Sequence, residues 1–138
     1  MPAKDIYHDT VRTALIKDGW TITHDPLTIR LTRKKLFVDL GAERLIAAER
    51  GAEQIAVEVK SFTRASDMKD LEDAIGQFVL YTHLMSRYDP ERKLYLAVTD
   101  SVYESVFQEE AGEILLQDGV IRLITFNADQ EAITQWIP

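Results

Sequence analysis

Three charged side chains in this sequence sit inside apolar, β-prone runs, where charge is costly unless it is paired or bound to a metal. Asp39 closes the run Leu36-Phe37-Val38-Asp39, and Glu58 and Lys60 interrupt Ile55-Ala56-Val57-Glu58-Val59-Lys60. The period of a strand is two, so Glu58 and Lys60 share one face. Eighteen residues separate Asp39 from Glu58, a span over which neighbouring strands bring side chains together. Two carboxylates about one cation apart suit Mg²⁺ (or Mn²⁺), and the backbone carbonyl of Val59 offers a further oxygen. Lys60 is no ligand, but its ammonium can polarise an attacking water or meet a phosphate as a point charge. A bound Mg²⁺ would lower the pKa of its water and offset charge on a phosphorane. The chemistry of such a set is metal-assisted phosphodiester hydrolysis. The plain alternative is a same-face surface pair worth under ~1 kcal/mol, in a structural α/β domain.

Two further groups extend this set. Gln77 and Tyr81 are spaced i, i+4 beside the apolar stripe of a long helix. From there Gln77 can hold the lysine, a water or a phosphate oxygen, and Tyr81 can approach a DNA phosphate; helical spacing alone equally allows core or surface roles. Arg30, Arg33, Lys34 and Lys35 form a basic cluster directly before the Asp39 run. Such a cluster can lie along a phosphate backbone or make a solvated turn. His24 and His83 read as structural or surface residues, and the three histidines show no zinc-type spacing.

The elements that must position these residues follow from periodicity and turn chemistry. Asp5 to Asp18 reads as a helix stopped by Gly19. Trp20 to Thr23 reads as a short strand, His24-Asp25-Pro26 as a turn, and Leu27 to Leu31 as a half-exposed strand. Leu36 to Leu40 is the strand bearing Asp39. Arg44 to Glu49 suits a strand or a helical turn; the hairpin-like Glu49-Arg50-Gly51-Ala52-Glu53 favours the strand. Gln54 to Phe62 is nearly continuous in apolar residues, as in a central strand covered on both sides. Ser66 caps a helix running to about Arg87, with Met68, Leu71, Ile75, Phe78, Thr82 and Met85 as its apolar stripe. Lys93 to Thr99 is a strand returning beside a central one. Val102 to Leu116 is helical, in two pieces about Gly112. Val120 to Phe126 is a strand, and the tail from Asp129 to Pro138 a short helix or strand. The order predicts an α/β fold, a mixed central sheet with helices on both faces.

The 138 residues suit one domain, 1–138, with a globular composition. No apolar run approaches the ~20 residues that span a bilayer, no signal-peptide pattern opens the chain, and the absence of cysteine excludes disulfides and thiolate zinc sites. A cytoplasmic location without membrane partners is the expectation. The net charge of −7 opposes generic nucleic-acid binding. Its distribution is uneven: residues 1–66 hold 11 basic and 9 acidic side chains, residues 67–138 hold 5 and 14.

Asp39, then Glu58-Val59-Lys60, then a helix with Gln77-Phe78-Val79-Leu80-Tyr81 resembles the PD-(D/E)XK nuclease superfamily with its restriction-endonuclease-like core. The Gln-x-x-x-Tyr element is similar to that of RecB-type nucleases. The residue before Asp39 is Val38 rather than the motif's proline, a departure that many members share. Nearly the whole chain also resembles the XisH family, the FdxN-element excision controlling factors of cyanobacteria. Met1-Pro2-Ala3-Lys4-Asp5-Ile6-Tyr7-His8, Ala56-Val57-Glu58-Val59-Lys60-Ser61-Phe62 and Gly76-Gln77-Phe78-Val79-Leu80-Tyr81 carry that match.

The resemblance implies a role in programmed DNA excision during heterocyst differentiation, alongside an XisI-like partner. It maps Asp39 and Glu58 onto metal ligands, Lys60 onto the catalytic lysine, and Gln77 and Tyr81 onto auxiliary helix positions. An acidic residue of the first helix often joins such sites; Asp5 and Asp9 are both candidates, and His8 can face the site or be a satisfied or solvent-facing histidine. Small nucleases that cut both strands commonly act as homodimers. Two functions stay open: a Mg²⁺-dependent DNA endonuclease or nuclease subunit, and a non-enzymatic accessory protein that binds DNA or its partner to assist a separate recombinase.

Overall fold

The computed structural model describes residues 5–31, 36–38, 45–63 and 66–138. Its strands are β1 (Thr21–Leu27), β2 (Ile29–Leu31), β3 (Leu36–Val38), β4 (Leu45–Arg50), β5 (Glu53–Val59), β6 (Arg92–Thr99), β7 (Leu123–Asn127) and β8 (Ala132–Ile137). The helices are α1 (His8–Lys17), α2 (Asp67–Tyr88), the short α3 (Asp100–Val102) and α4 (Glu110–Gln117), with a π-helical turn at Tyr103–Phe107. Six strands form one sheet in the order β1-β4-β5-β6-β7-β8, and β2 and β3 make a separate two-stranded ribbon.

The sheet is mixed. β4 runs antiparallel to β1 and β5, β5 to β7 are parallel, and β8 returns antiparallel on the far edge. The apolar run of β5 thus lies inside the sheet, as continuous hydrophobicity requires. Side-chain parity then builds two cores. Ile55, Val57 and Val59 of β5 meet Tyr95 and Ala97 of β6 and Val11 and Leu15 of α1 on one face. Ala56, Leu94, Leu96 and Val98 meet Leu71, Ala74, Phe78, Tyr81 and Met85 of α2 on the other, where Val106 and Phe107 also pack. Helices cover both faces, as the order of elements predicts.

Several local expectations shift. The predicted turn at His24-Asp25-Pro26 lies inside β1, which passes through it with irregular register against β4. Proline is tolerated there because β1 is an edge strand and needs no N–H on its outer side. Leu27 to Leu31 is not one strand: it divides at Thr28 between the main sheet and the ribbon. β5 stops at Val59 instead of continuing to Phe62, whose φ of 56° turns the chain. The helical stretch after β6 breaks ahead of Gly112, at the π-helical turn. A Cβ at Gly112 would lie 2.3 Å from the Val106 carbonyl oxygen, so that glycine serves close packing and not the break. The tail is a strand, β8, capping the exposed side of β7.

α2 matches its predicted span, and Ser66 caps it by accepting from the Lys69 N–H at 3.1 Å. Its buried stripe is rotated from the predicted one: Ala74 and Tyr81 face the sheet while Met68 stays 52% exposed. α1 ends as predicted, with Gly19 at φ 90° following the Asp18 cap.

Candidate active site at the end of strand β5

Strand parity decides which face the candidate residues occupy. Glu58 shares the parity of Ala56, so it points to the α2 side of the sheet, and it is fully buried. Lys60 follows at the first position beyond β5, where its N–H still donates to the Ala97 carbonyl at 3.1 Å. That bond keeps the backbone extended for one more residue and turns the Lys60 side chain toward α2. There Lys60 Nζ donates to Gln77 Oε1 at 3.3 Å. The structure thus joins the two residues that sequence spacing pairs only by conjecture.

The turn after Lys60 is fixed from both faces. Asp5 accepts from the Ser61 N–H through Oδ2 at 2.9 Å and from the Tyr7 N–H through Oδ1 at 2.9 Å. One carboxylate therefore ties the start of α1 to the backbone beside Lys60, with both bonds charge-assisted. Phe62, in a conformation uncommon for a bulky residue, packs edge-on against Phe107 at 6.0 Å. Rare backbone conformations cluster where a side chain must be aimed.

The other first-helix candidates point elsewhere. His8 is buried, and its Nε2 donates to Asp25 Oδ1 at 2.8 Å, while Arg12 Nε lies 3.2 Å from Asp25 Oδ2. α1 covers the face opposite Glu58, so His8 is a satisfied histidine holding α1 to β1. Asp9 is exposed on α1. Sequence reading missed the role of Asp25, whose neighbour Pro26 marked it as a turn residue. Tyr81 is 2% exposed and packs within the α2 core cluster, which is why an i, i+4 pattern beside an apolar stripe did not separate it from core.

Asp39, Arg33, Lys34 and Lys35 lie outside the described residues. Arg30 is the middle residue of β2, opposite Phe37 of β3, and β2 adjoins α2. The ribbon that leads to Asp39 is therefore anchored on the helix that carries Gln77. Its strands are not neighbours of β5, whose antiparallel partner is β4. Among the described residues no three His, Asp or Glu side chains form a metal-binding group. The donors that are described, the buried Glu58 carboxylate and the Val59 carbonyl, are hard oxygens at one strand end, and they fit the ligand chemistry of Mg²⁺ or Mn²⁺.

A polar crevice of about 220 Å³ opens at the ends of β6 and β7, lined by Tyr7, Thr99, Asp100, Ser101, Asn127 and Asp129. It lies at the carboxyl ends of the parallel strands, the edge that open α/β sheets use for ligands. No local motif announces it, because its residues come from separate segments of the chain.

Fold and site together define a mixed α/β protein that presents a buried acid and a helix-held lysine at the end of a central strand. The chain belongs to the XisH family: the family model described as XisH protein matches residues 1–134. It is similar to the crystal structure of an XisH family protein from Nostoc punctiforme PCC 73102, with 42% identity and a TM-score of 0.86, over 97% of this chain and 100% of that one. It is also similar to an FdxN element excision controlling factor protein from Anabaena variabilis, with 39% identity and a TM-score of 0.86, over 97% of this chain and 99% of that one. No curated protein matches the chain.

Proposed function

We propose that this protein acts in the controlled excision of a DNA element, as a metal-dependent DNA endonuclease or nuclease subunit on a PD-(D/E)XK core. The bond from Lys60 to Gln77, two residues beyond the buried Glu58, carries this reading. A lysine that only decorated the surface would gain little from being held by a helix on the opposite wall. In this reading Glu58, Asp39 and the Val59 carbonyl would hold Mg²⁺ or Mn²⁺, which when bound would supply an activated water and charge neutralisation at the phosphate. Lys60 orients an attacking water or contacts the phosphate, and Gln77 fixes the lysine's rotamer. Arg30, in the ribbon beside α2, and the basic residues Arg33, Lys34 and Lys35 that follow it in sequence contact the DNA backbone in this reading, and Tyr81 packs the helix that carries Gln77. A homodimer would supply one site per strand, and an XisI-like protein is the expected partner in the cytoplasm.

The test is cleavage of supercoiled, linear and single-stranded DNA by the purified protein with Mg²⁺ or Mn²⁺, alone and with its partner. Cleavage should fall by about 10²-fold or more in Lys60→Ala. No cleavage of any form, or cleavage unaltered in Lys60→Ala, defeats the proposal.

One observation favours a second reading, an accessory protein without catalysis. Residues 67–138 carry 14 acidic against 5 basic side chains, a balance suited to a protein partner rather than to DNA. Element excision in cells that survives Glu58→Ala would select it.

A further inference from the structure

Residues of α2 and α4 together line an apolar groove of about 570 Å³. Its walls are Met68, Leu71 and Ile75 from α2 and Ala111, Ile114 and Leu115 from α4. Met68 is 52% exposed and Ile114 47%, so water covers side chains of the most strongly apolar kind. Contiguous apolar surface of this sort marks an interaction site.

Gly76 on the groove wall is the second observation. A mid-helix glycine costs about 1 kcal/mol relative to alanine. Here neither backbone conformation nor packing among the described residues requires the glycine: a Cβ added at Gly76 would meet none of them within 4 Å, and its φ is not in the left-handed region. Among the described residues, nothing takes up the space that its missing side chain leaves.

Charge identifies what that is. Among residues 67–76 and 109–117, six acidic side chains reach the surface (Asp67, Glu72, Asp73, Glu109, Glu110 and Glu113), against a single basic one, Lys69; Asp70 is buried. Lys69 itself lies 3.7 Å from Asp73. Glu72 borders the groove directly. Nucleic acid and anionic membrane surfaces are repelled by such a rim, whereas cationic surfaces are steered to it.

We propose that the α2–α4 groove docks an amphipathic helix of a partner protein, with its apolar stripe in the groove, its backbone close to Gly76 and Lys or Arg along its flanks. Helix-in-groove recognition uses anchors at i, i+3 or i+4 and i+7, and the groove offers two facing rows for them. This site is separate from Lys60 and holds whether or not the protein cuts DNA.

The probe is a synthetic helical peptide with Leu at heptad core positions and Lys on both flanks, titrated into the full chain by fluorescence anisotropy. A control peptide carries Glu in place of Lys. The Lys peptide should bind, and more weakly as salt rises. Gly76→Gln and Ile114→Glu should each weaken it by about tenfold or more. Gly76→Gln should do so while thermal stability stays level or rises, which separates lost docking from lost folding. The proposal is overturned if the Lys peptide fails to bind, if the Glu peptide binds equally, or if Gly76→Gln leaves affinity intact. Self-association that Ile114→Glu abolishes would assign the groove to a second copy and overturn it as well.

Discussion

At the scale of single residues, the candidate site rests on two contacts of different kinds. Lys60 to Gln77 holds a side chain; Asp5 to Ser61 holds the backbone from which that side chain departs. Asp5 was readable as a first-helix acid, but its observed partners are two backbone N–H groups. Removing it leaves both donors without their carboxylate, so Asp5→Ala should cost about 1–3 kcal/mol, measured by urea denaturation. If Lys60 catalyses, the same change should lower turnover more than it raises KM, because it loosens the aim of a catalytic group. Stability unchanged in Asp5→Ala would show that the two bonds do not hold the strand end.

At the scale of elements, the connection from β6 to β7 changes helix type twice. α3, the π-helical turn and α4 succeed one another within Asp100–Gln117. Propensity would favour alanine over glycine at position 112 by about 1 kcal/mol. Packing overrules it, because the three nearest atoms to an added Cβ are backbone atoms of Val106 and Phe107, at 2.3 to 3.0 Å. Gly112→Ala should therefore destabilise the fold by about 1–3 kcal/mol, read as a lowered denaturation midpoint. The contrast with Gly76, where added side chains should be tolerated or stabilising, is a direct check on both assignments. The Gly112 break was half legible: a glycine inside an apolar helical pattern signalled an interruption, but not that the chain interrupts itself five residues earlier to reach it.

For the whole molecule, the two cores are joined through a sheet whose inner strands expose almost nothing. Tyr95 of β6 lies in the α1-side core, with its ring 5.1 Å from that of Trp136. Burial pushes its hydroxyl above the ordinary tyrosine value of 10.0, the nearby Arg122 opposes this, and Glu53 adds to it. The unfolded chain then loses this proton at a lower pH than the folded one. The contribution is fully present below pH 10.0 and is lost as pH rises through the raised folded value. Denaturation midpoints should fall above pH 10.0, and the fall should be smaller in Tyr95→Phe. An equal alkaline loss in both proteins would exclude Tyr95 as its source. No helix among the described residues is long and apolar enough to cross a membrane.

The sequence by itself determined the elements with strong periodicity or chemistry: α1 with its Gly19 stop, the Ser66-capped α2, the apolar β5 and β6, and the shared face of Glu58 and Lys60. These are properties of local spacing, which the backbone enforces wherever the segment lies. Tertiary structure alone decided that α2 is the element facing Lys60, that Asp5 clamps the next residue, and that Tyr81 is core. It also decided that β1 runs through Pro26, because an edge strand can spare an N–H that a central strand cannot. Each of these depends on which surfaces meet across long stretches of chain, information that no local period contains. The acid of β5 and the lysine just beyond it were visible as charges in an apolar run, and a lysine-holding role for Gln77 was one of three that helical spacing allowed; the sheet closing against α2 is what brings the two side chains to 3.3 Å.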